Sequence, residues 1–455
     1  MSDVTSLPKS VGHLLRFQNY FVLLPTENKS MMMKQLLTIA FALLALATHA
    51  QQRYVGGDIS LLPDYETKGA RYYDADYHQI TDMLEYFKQQ GLNSMRVRLF
   101  VDPSKAPQDE RNQGARQDLE YVKALGKRIK DAGLSLMLDF HYSDTWADPS
   151  QQWTPTAWQS LNDAELQTKI YEYTRDCLQQ MVDAGATPDF IQTGNEISYG
   201  MMWGPKGTTQ NRCYINGSAT EWNRFIALLK KAGDACREVC PQAKIILHSE
   251  RVPTVPVLKD FFDRMRQASV DYDIIGLSYY PYYHGSLSQL EMALDEVEQY
   301  EKNIMIVETG YYYAWQPNGV EYNLSSTWPI TPAGQQAFAR DLVAKLREHP
   351  KVIGLYWWFM EACENGINWQ NAVTPSGWYN CSLFNDTDES VWGAGKVMPA
   401  MQELKSFLPS PAGIDATVIR IDRDQHWYNL QGMRLDSRPQ RTGLYITQGD
   451  KVIIH

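Results

Sequence analysis

Pro188-Asp189-Phe190-Ile191-Gln192-Thr193-Gly194-Asn195-Glu196-Ile197-Ser198-Tyr199-Gly200-Met201-Met202-Trp203 is the stretch on which the fold turns. Phe190 to Thr193 reads as a short buried strand that stops abruptly at Gly194-Asn195-Glu196. An Asn-Glu pair at the carboxyl end of a strand is where a parallel barrel places its chemistry. A turn with an incidental acid would look the same, and a second stretch downstream tips the balance. Ile304 to Val307 is another apolar strand, closed by Glu308-Thr309-Gly310. Retaining glycoside hydrolysis needs two carboxyls about 5–5.5 Å apart, one a proton donor and then base, the other a nucleophile. Glu196 and Glu308, each ending its own strand, are the candidates.

The rest of the chain supplies the other units of a barrel. Strands are expected at Tyr54–Ser60, Ser94–Phe100, Leu134–Phe140, Phe190–Thr193, Lys244–His248, Asp273–Ser278, Ile304–Val307 and Val352–Trp358. Between and after them, helical spacing marks Tyr77–Gln90, Arg116–Ala132, Asp163–Ala184, Thr220–Cys240, Val257–Gln267, Ser288–Tyr300, Thr331–His349 and Lys396–Leu408. Thr331-Pro332 is a suitable helix start. This alternation predicts an α/β fold, a (β/α)8 TIM barrel over 51–408. A doubly wound open sheet would want a Gly-rich phosphate loop after the first strand, and Gly56-Gly57-Asp58 is not one. Beyond a Pro/Ser/Gly linker at Pro409–Ile414, residues 409–455 read as a small β tail. Its strands are expected at Val418–Ile421, Trp427–Leu430 and Leu444–His455, with a hairpin turn at Gly449-Asp450.

Residues 1–50 read as an upstream extension and a signal peptide. Met31-Met32-Met33-Lys34 gives a basic start, Gln35–Leu46 an apolar core, and Ala47-Thr48-His49-Ala50 small residues for cleavage. The apolar run is short for a membrane span. The expected location is therefore the periplasm, the cell surface or the outside, with no membrane span. Removing the four basic and two acidic residues of this segment from totals of 43 and 53 leaves 39 and 51, net −12. That balance argues against nucleic acid as a partner. A neutral ligand is compatible, and 13 Trp and 27 Tyr offer flat faces of the kind that suit sugars. Of the six cysteines, Cys363 and Cys381 flank a single loop and are the pair expected to bridge; Cys236 and Cys240, one helical turn apart, are awkward for a disulfide. Zinc is not expected, for want of paired Cys-x-x-Cys or a His cluster.

Polar or aromatic groups recur where strands end: Arg96 and Arg98, Asp139-Phe140-His141, Asn195-Glu196, Tyr279-Tyr280-Pro281, Glu308 and Trp357-Trp358. With Gly57-Asp58-Ile59-Ser60, Arg96-Val97-Arg98, Asp139–Pro149, Gly194-Asn195-Glu196-Ile197, Gly276–Pro281 and Val307-Glu308-Thr309, the sequence resembles glycoside hydrolase family 53, the endo-β-1,4-galactanases, over about Tyr54–Leu408. The resemblance implies that Glu196 is the acid/base and Glu308 the nucleophile. It also implies that a monomeric enzyme cuts β-1,4-galactan internally to galacto-oligosaccharides. Asp58, Arg96, Arg98, Asp139, His141, Trp146, Asn195, Tyr280 and Trp358 form the candidate substrate-binding set. Arg96 or Arg98 beside Glu308 would favour its carboxylate.

Two departures from the family are visible. The Glu-Pro that usually follows the eighth-strand Trp is replaced by Phe359-Met360. Tyr311–Pro329 lacks the Asp/Gly/His-rich calcium loop of some bacterial members, so no calcium is expected there. No cofactor is expected for the chemistry, and a structural calcium elsewhere is left open. The tail, with Tyr428–Gly432 and Gly443–Ile446, resembles the C-terminal segment of many exported Bacteroidetes proteins. The residues alone reach a retaining glycosidase, with a mannanase or cellulase as the neighbouring alternative and a non-catalytic glycan-binding barrel as the distant one.

Overall fold

The computed structural model describes residues 52–214, 219–316, 319–363, 365–367, 373, 379–385 and 395–409. It also describes the strands Trp427–Tyr428, Arg434–Leu435, Gly443–Thr447 and Asp450–Ile454. The expected signal peptide, the strand expected at Val418–Ile421 and the hairpin-turn residue Gly449 lie outside the described residues.

Eight parallel strands close into a barrel: β1 (Tyr54–Asp58), β2 (Ser94–Leu99), β3 (Ser135–Phe140), β4 (Phe190–Thr193), β5 (Lys244–Ser249), β6 (Ile274–Tyr279), β7 (Asn303–Thr309) and β8 (Val352–Trp357). Each strand pairs with its neighbour in sequence, and β1 closes the ring by pairing with β8 as well as β2. β1 and β2 approach closely because Gly56 has no side chain; a Cβ there would lie 1.6 Å from the Ser94 carbonyl oxygen. The outer layer holds α1 (Met83–Gln89), α2 (Leu119–Asp131), α3 (Asp163–Asp183), α4 (Ala219–Val239), α5 (Val255–Gln267), α6 (Leu287–Glu298), α7 (Pro332–Arg347) and α8 (Ala400–Leu404).

Local chemistry starts several of these helices. Asp118 caps α2 by accepting from the Tyr121 amide, and α2 buries Val122, Leu125 and Ile129 on one face. Asn162 and Glu165 form a capping box on α3. The Thr331 side chain accepts from the Gly334 amide, with Pro332 in the first turn of α7. Among the described residues no helix is long and apolar enough to cross a membrane.

Three expectations need correction. The first helix begins at Met83, not Tyr77, because Gln79–Ile80 pairs with Tyr72–Tyr73 as a short strand. The last helix begins at Ala400, because Lys396–Val397 pairs with Phe384–Asn385 and Tyr73. Cys363 and Cys381 are both buried and do not bridge each other. The Cys363 sulfur faces the Arg71 carbonyl at 3.6 Å, and the Cys381 sulfur faces the Tyr282 hydroxyl at 3.9 Å, so each has a separate partner.

The barrel belongs to a compact unit, Gln51–Leu408, and Pro409–His455 falls in a second unit. In the tail, Gly443–Thr447 and Asp450–Ile454 form an antiparallel pair with Thr447 opposite Asp450. Trp427–Tyr428 pairs antiparallel with Gly443–Thr447 and with Arg434–Leu435.

Candidate active site

Side chains alternate along a strand, so every second residue of each barrel strand enters the interior. The lower interior is apolar: Met137, Phe190, Ile246, Ile274, Met305, Val307, Ile353 and Tyr356 form one buried cluster. One inward step further along, the same faces become polar. Asp139 follows Met137, Gln192 follows Phe190, His248 follows Ile246, and Ser278 follows Gly276; all four are buried. The chemistry therefore gathers at the carboxyl ends of the strands, above an apolar plug.

Glu308 reaches this layer by a bulge. Leu277 pairs with Ile306, but the next partners are Ser278 and Glu308, so β7 carries one extra residue. Strict alternation would have sent Glu308 to the face opposite Val307, and the bulge re-aims it inward. Glu196 gets there by a turn. Gly194 has φ 106° and Glu196 itself φ 47°, a left-handed conformation uncommon for a residue with a side chain. A Cβ on Gly194 would meet Ile197 Cγ2 at 2.6 Å, so the turn needs glycine.

A buried network ties these groups together. Arg96 Nη1 donates to Asp58 Oδ2 at 3.0 Å. Its Nη2 lies 2.7 Å from Asp139 Oδ2, 2.8 Å from Asn195 Oδ1 and 2.9 Å from Glu308 Oε1. Tyr280 donates its hydroxyl to Glu308 Oε2 at 2.9 Å. His141 Nδ1 accepts from the Ala147 amide at 3.0 Å, which leaves the Nε2 proton for Asp139 Oδ2 at 3.1 Å. Asn195 Nδ2 donates to the Ala147 carbonyl at 2.8 Å. Arg98 instead donates to Asp58 Oδ1 at 2.9 Å, and its guanidinium sits over the rings of Trp146 at 4.5 Å and Phe359 at 5.1 Å.

A cavity of about 590 Å3 opens above the network. His141, Trp146, Asn195, Glu196, Tyr280, Glu308 and Trp358 line it. Asp58, Arg96, Arg98 and Asp139 lie beneath, at 1% exposure or less, where they hold the lining in place. Arg96, and not Arg98, pairs with Glu308. Phe359 joins the cavity wall.

The two glutamates differ in their surroundings. Burial raises both, and the neighbouring carboxylates raise Glu196 further: Glu308 and Glu250 both push it up. For Glu308 the rise from burial is opposed by Arg96 and by the Tyr280 hydroxyl. Glu196 has no ion pair among the described residues, so Glu308 is the more acidic of the two. Burial would raise Asp139 as well, yet Arg96 and His141 hold it below its ordinary value.

The sequence matches Glycosyl hydrolase family 53 over residues 54–402. The chain belongs to glycosyl hydrolase family 53. Among relatives, it is 29% identical over 362 residues to an endo-beta-1,4-galactanase of Bacillus subtilis (strain 168), covering 75% of this chain and 80% of that one. It is 33% identical over 343 residues to a probable arabinogalactan endo-beta-1,4-galactanase A of Neosartorya fischeri, covering 72% and 90%. Its fold resembles the family 53 catalytic domain of Ignisphaera aggregans, with TM-score 0.66 and 30% identity over 79% of this chain and 97% of the other. A fungal beta-1,4-galactanase structure gives TM-score 0.63 and 27% identity over 77% and 98%.

Some residues of this family 53 site are absent from the set that the sequence marked. Gln192, His248 and Ser278 all touch the network, and Glu250 lines the cavity. A signal was present: each of the first three is a polar residue one inward step beyond an apolar or glycine position, near the end of its strand.

Proposed function

We propose that this chain is an endo-acting β-1,4-galactanase that works with retention, with Glu196 as acid/base and Glu308 as nucleophile. The observation that carries the roles is the asymmetry of the two carboxyls. Glu308, beside Arg96 and Tyr280, is the one equipped to ionise; Glu196, among carboxylates, is the one equipped to keep a proton. Environments that push two titratable groups apart assign acid and nucleophile. Family membership and the galactanase relatives support the substrate.

In the first step Glu196 gives its proton to the glycosidic oxygen as Glu308 attacks the anomeric carbon and the glycosidic bond breaks. In the second, Glu196 takes a proton from water, whose oxygen displaces Glu308. Asn195, fixed by Arg96 and Ala147, has a second amide hydrogen for a sugar hydroxyl. Trp358 and Trp146 offer faces to the sugar rings. A leader at Met31–Ala50 suits a polymeric substrate that cannot cross a membrane, and N-terminal sequencing of exported protein would test it.

The axial 4-hydroxyl of galactose makes each linkage leave the ring at an angle, so galactan curves. A groove shaped for that curve rejects straighter glucan and mannan by clash and by unpaired polar groups. Incubation with purified β-1,4-galactan, β-1,4-glucan and β-1,4-mannan, followed by product sizing, is the test. Short galacto-oligosaccharides from galactan alone are expected; faster release from glucan or mannan would overturn the substrate while leaving the glutamates their roles.

A further inference from the structure

Two fully buried polar groups of the barrel interior, His248 on β5 and Ser278 on β6, take no part in the two-carboxylate mechanism. Their hydrogen bonds have a direction. Two donors converge on His248 Nδ1, the Gln192 amide at 3.0 Å and the Glu196 backbone N–H at 3.3 Å. The Gln192 nitrogen is fixed as a donor because it also lies 2.6 Å from the Asp139 carboxylate. Asn195 Oδ1 stands 3.0 Å from the same ring nitrogen, but it already accepts from Arg96 at 2.8 Å. A ring nitrogen that faces two N–H donors keeps its lone pair, so the imidazole proton sits on Nε2. Burial and the nearby Arg96 hold His248 well below the usual histidine range, so the ring is neutral. Nε2–H donates to Ser278 Oγ at 2.8 Å. A hydroxyl has one proton, and Ser278 points its own at Glu196 Oε1, 2.6 Å away.

We infer that His248 and Ser278 form a one-way hydrogen-bond chain that decides which oxygen of Glu196 carries the catalytic proton. Oε1 is held as an acceptor, so the proton resides on Oε2. Both are positioning residues, and the inference rests on the reading of Glu196 as acid/base. In the first step the Oε2–H bond breaks, its proton bonds to the leaving oxygen, and its electron pair stays on the carboxylate. The Ser278 hydroxyl is already aimed at the charge that develops, so no reorganisation is needed at that moment. In the second step Oε2 takes a proton from water while the water oxygen bonds to the anomeric carbon and the Glu308–carbon bond breaks.

The groups facing Glu196 set the sign of the expected shift. Glu308 on β7, Glu250 after β5 and Asp148 after β3 are carboxylates that oppose its ionisation, whereas the Ser278 hydroxyl favours it. Tyr280 after β6 and neutral His248 on β5 complete the surroundings. Ser278→Ala should therefore move the alkaline limb of kcat/KM to higher pH by about one unit, a tenfold change in the proton equilibrium. Ser278→Thr, which keeps the hydroxyl, should return it. An alkaline limb that stays put in a folded Ser278→Ala enzyme would overturn the chain. Neutron diffraction of the unaltered protein tests it without any variant. A hydrogen on His248 Nε2 and a Ser278 hydrogen directed at Glu196 support it; a hydrogen on Nδ1 overturns it. Failure of the acid/base reading is separable, because it would appear as a Glu196→Ala enzyme indifferent to leaving group.

Discussion

Glu196 and Glu308 share one cavity and differ in what surrounds them, and that difference predicts how each variant fails. Glu308→Ala should lose roughly 10^4-fold or more in turnover, because no covalent intermediate can form. Added azide should fill the vacated space and restore some turnover of an activated aryl galactoside, with an inverted product seen by NMR. Glu196→Ala should lose about 10^2- to 10^4-fold on galactan and far less on a substrate whose leaving group needs no proton. Exchanged behaviour of the two variants would reverse the roles. Tyr280 gives a gentler probe. Its hydroxyl favours the Glu308 carboxylate, so Tyr280→Phe should raise the Glu308 pKa. As the proposed nucleophile Glu308 must be an anion, so the acidic limb of kcat/KM should move up by as much as about one pH unit. A limb that moves down would mean that the hydroxyl serves the protonated form.

At the scale of elements, the eight strand–helix units were readable because most barrel strands are short, largely apolar runs that alternate with helical spacing. What the local pattern could not hold was pairing over long separations. Tyr72–Tyr73 and Lys396–Val397 meet in a small sheet, and that partnership took the first residues of two expected helices. The bulge in β7 was equally hidden, since Val307-Glu308 alternates like any strand and only the register with β6 turns Glu308 inward. The arginine pair on β2 was visible as a pair, but its division of labour depends on neighbours distant in sequence. Arg96 serves Glu308, while Arg98 lies against Trp146 and Phe359. That stack holds one wall of the groove. Phe359→Ala should therefore raise KM for galactan several-fold with a smaller effect on kcat, as steady-state kinetics would report. An unchanged KM would show that Phe100 and His141, which also touch Trp146, hold the wall without it.

For the whole barrel unit, the site has a cost in pH tolerance that reaches beyond the cavity. Glu361 is fully buried below the groove, where its Oε1 accepts from the Leu61 amide at 2.9 Å. Burial and the nearby Asp58 push its pKa from 4.5 up to about 8. Burial raises Glu196 and Glu308 too. A carboxyl raised in this way keeps its proton in the folded state while the unfolded chain has already lost its own. The folded state then binds more protons, and stability falls as pH rises from about 4.5 towards 8. Asp139, held low by Arg96, works in the opposite sense and weakens the fold only under acid. Glu361→Gln keeps the oxygen that Leu61 needs and removes the titration. At about 1.4 kcal/mol per pKa unit, the full shift sets an upper limit on the order of 5 kcal/mol. Calorimetry at pH 5 and pH 8 should show the variant losing less stability than the parent between the two. If both lose equally, Glu361 is ionised in the folded state, with Arg98 as the cation that favours its charge.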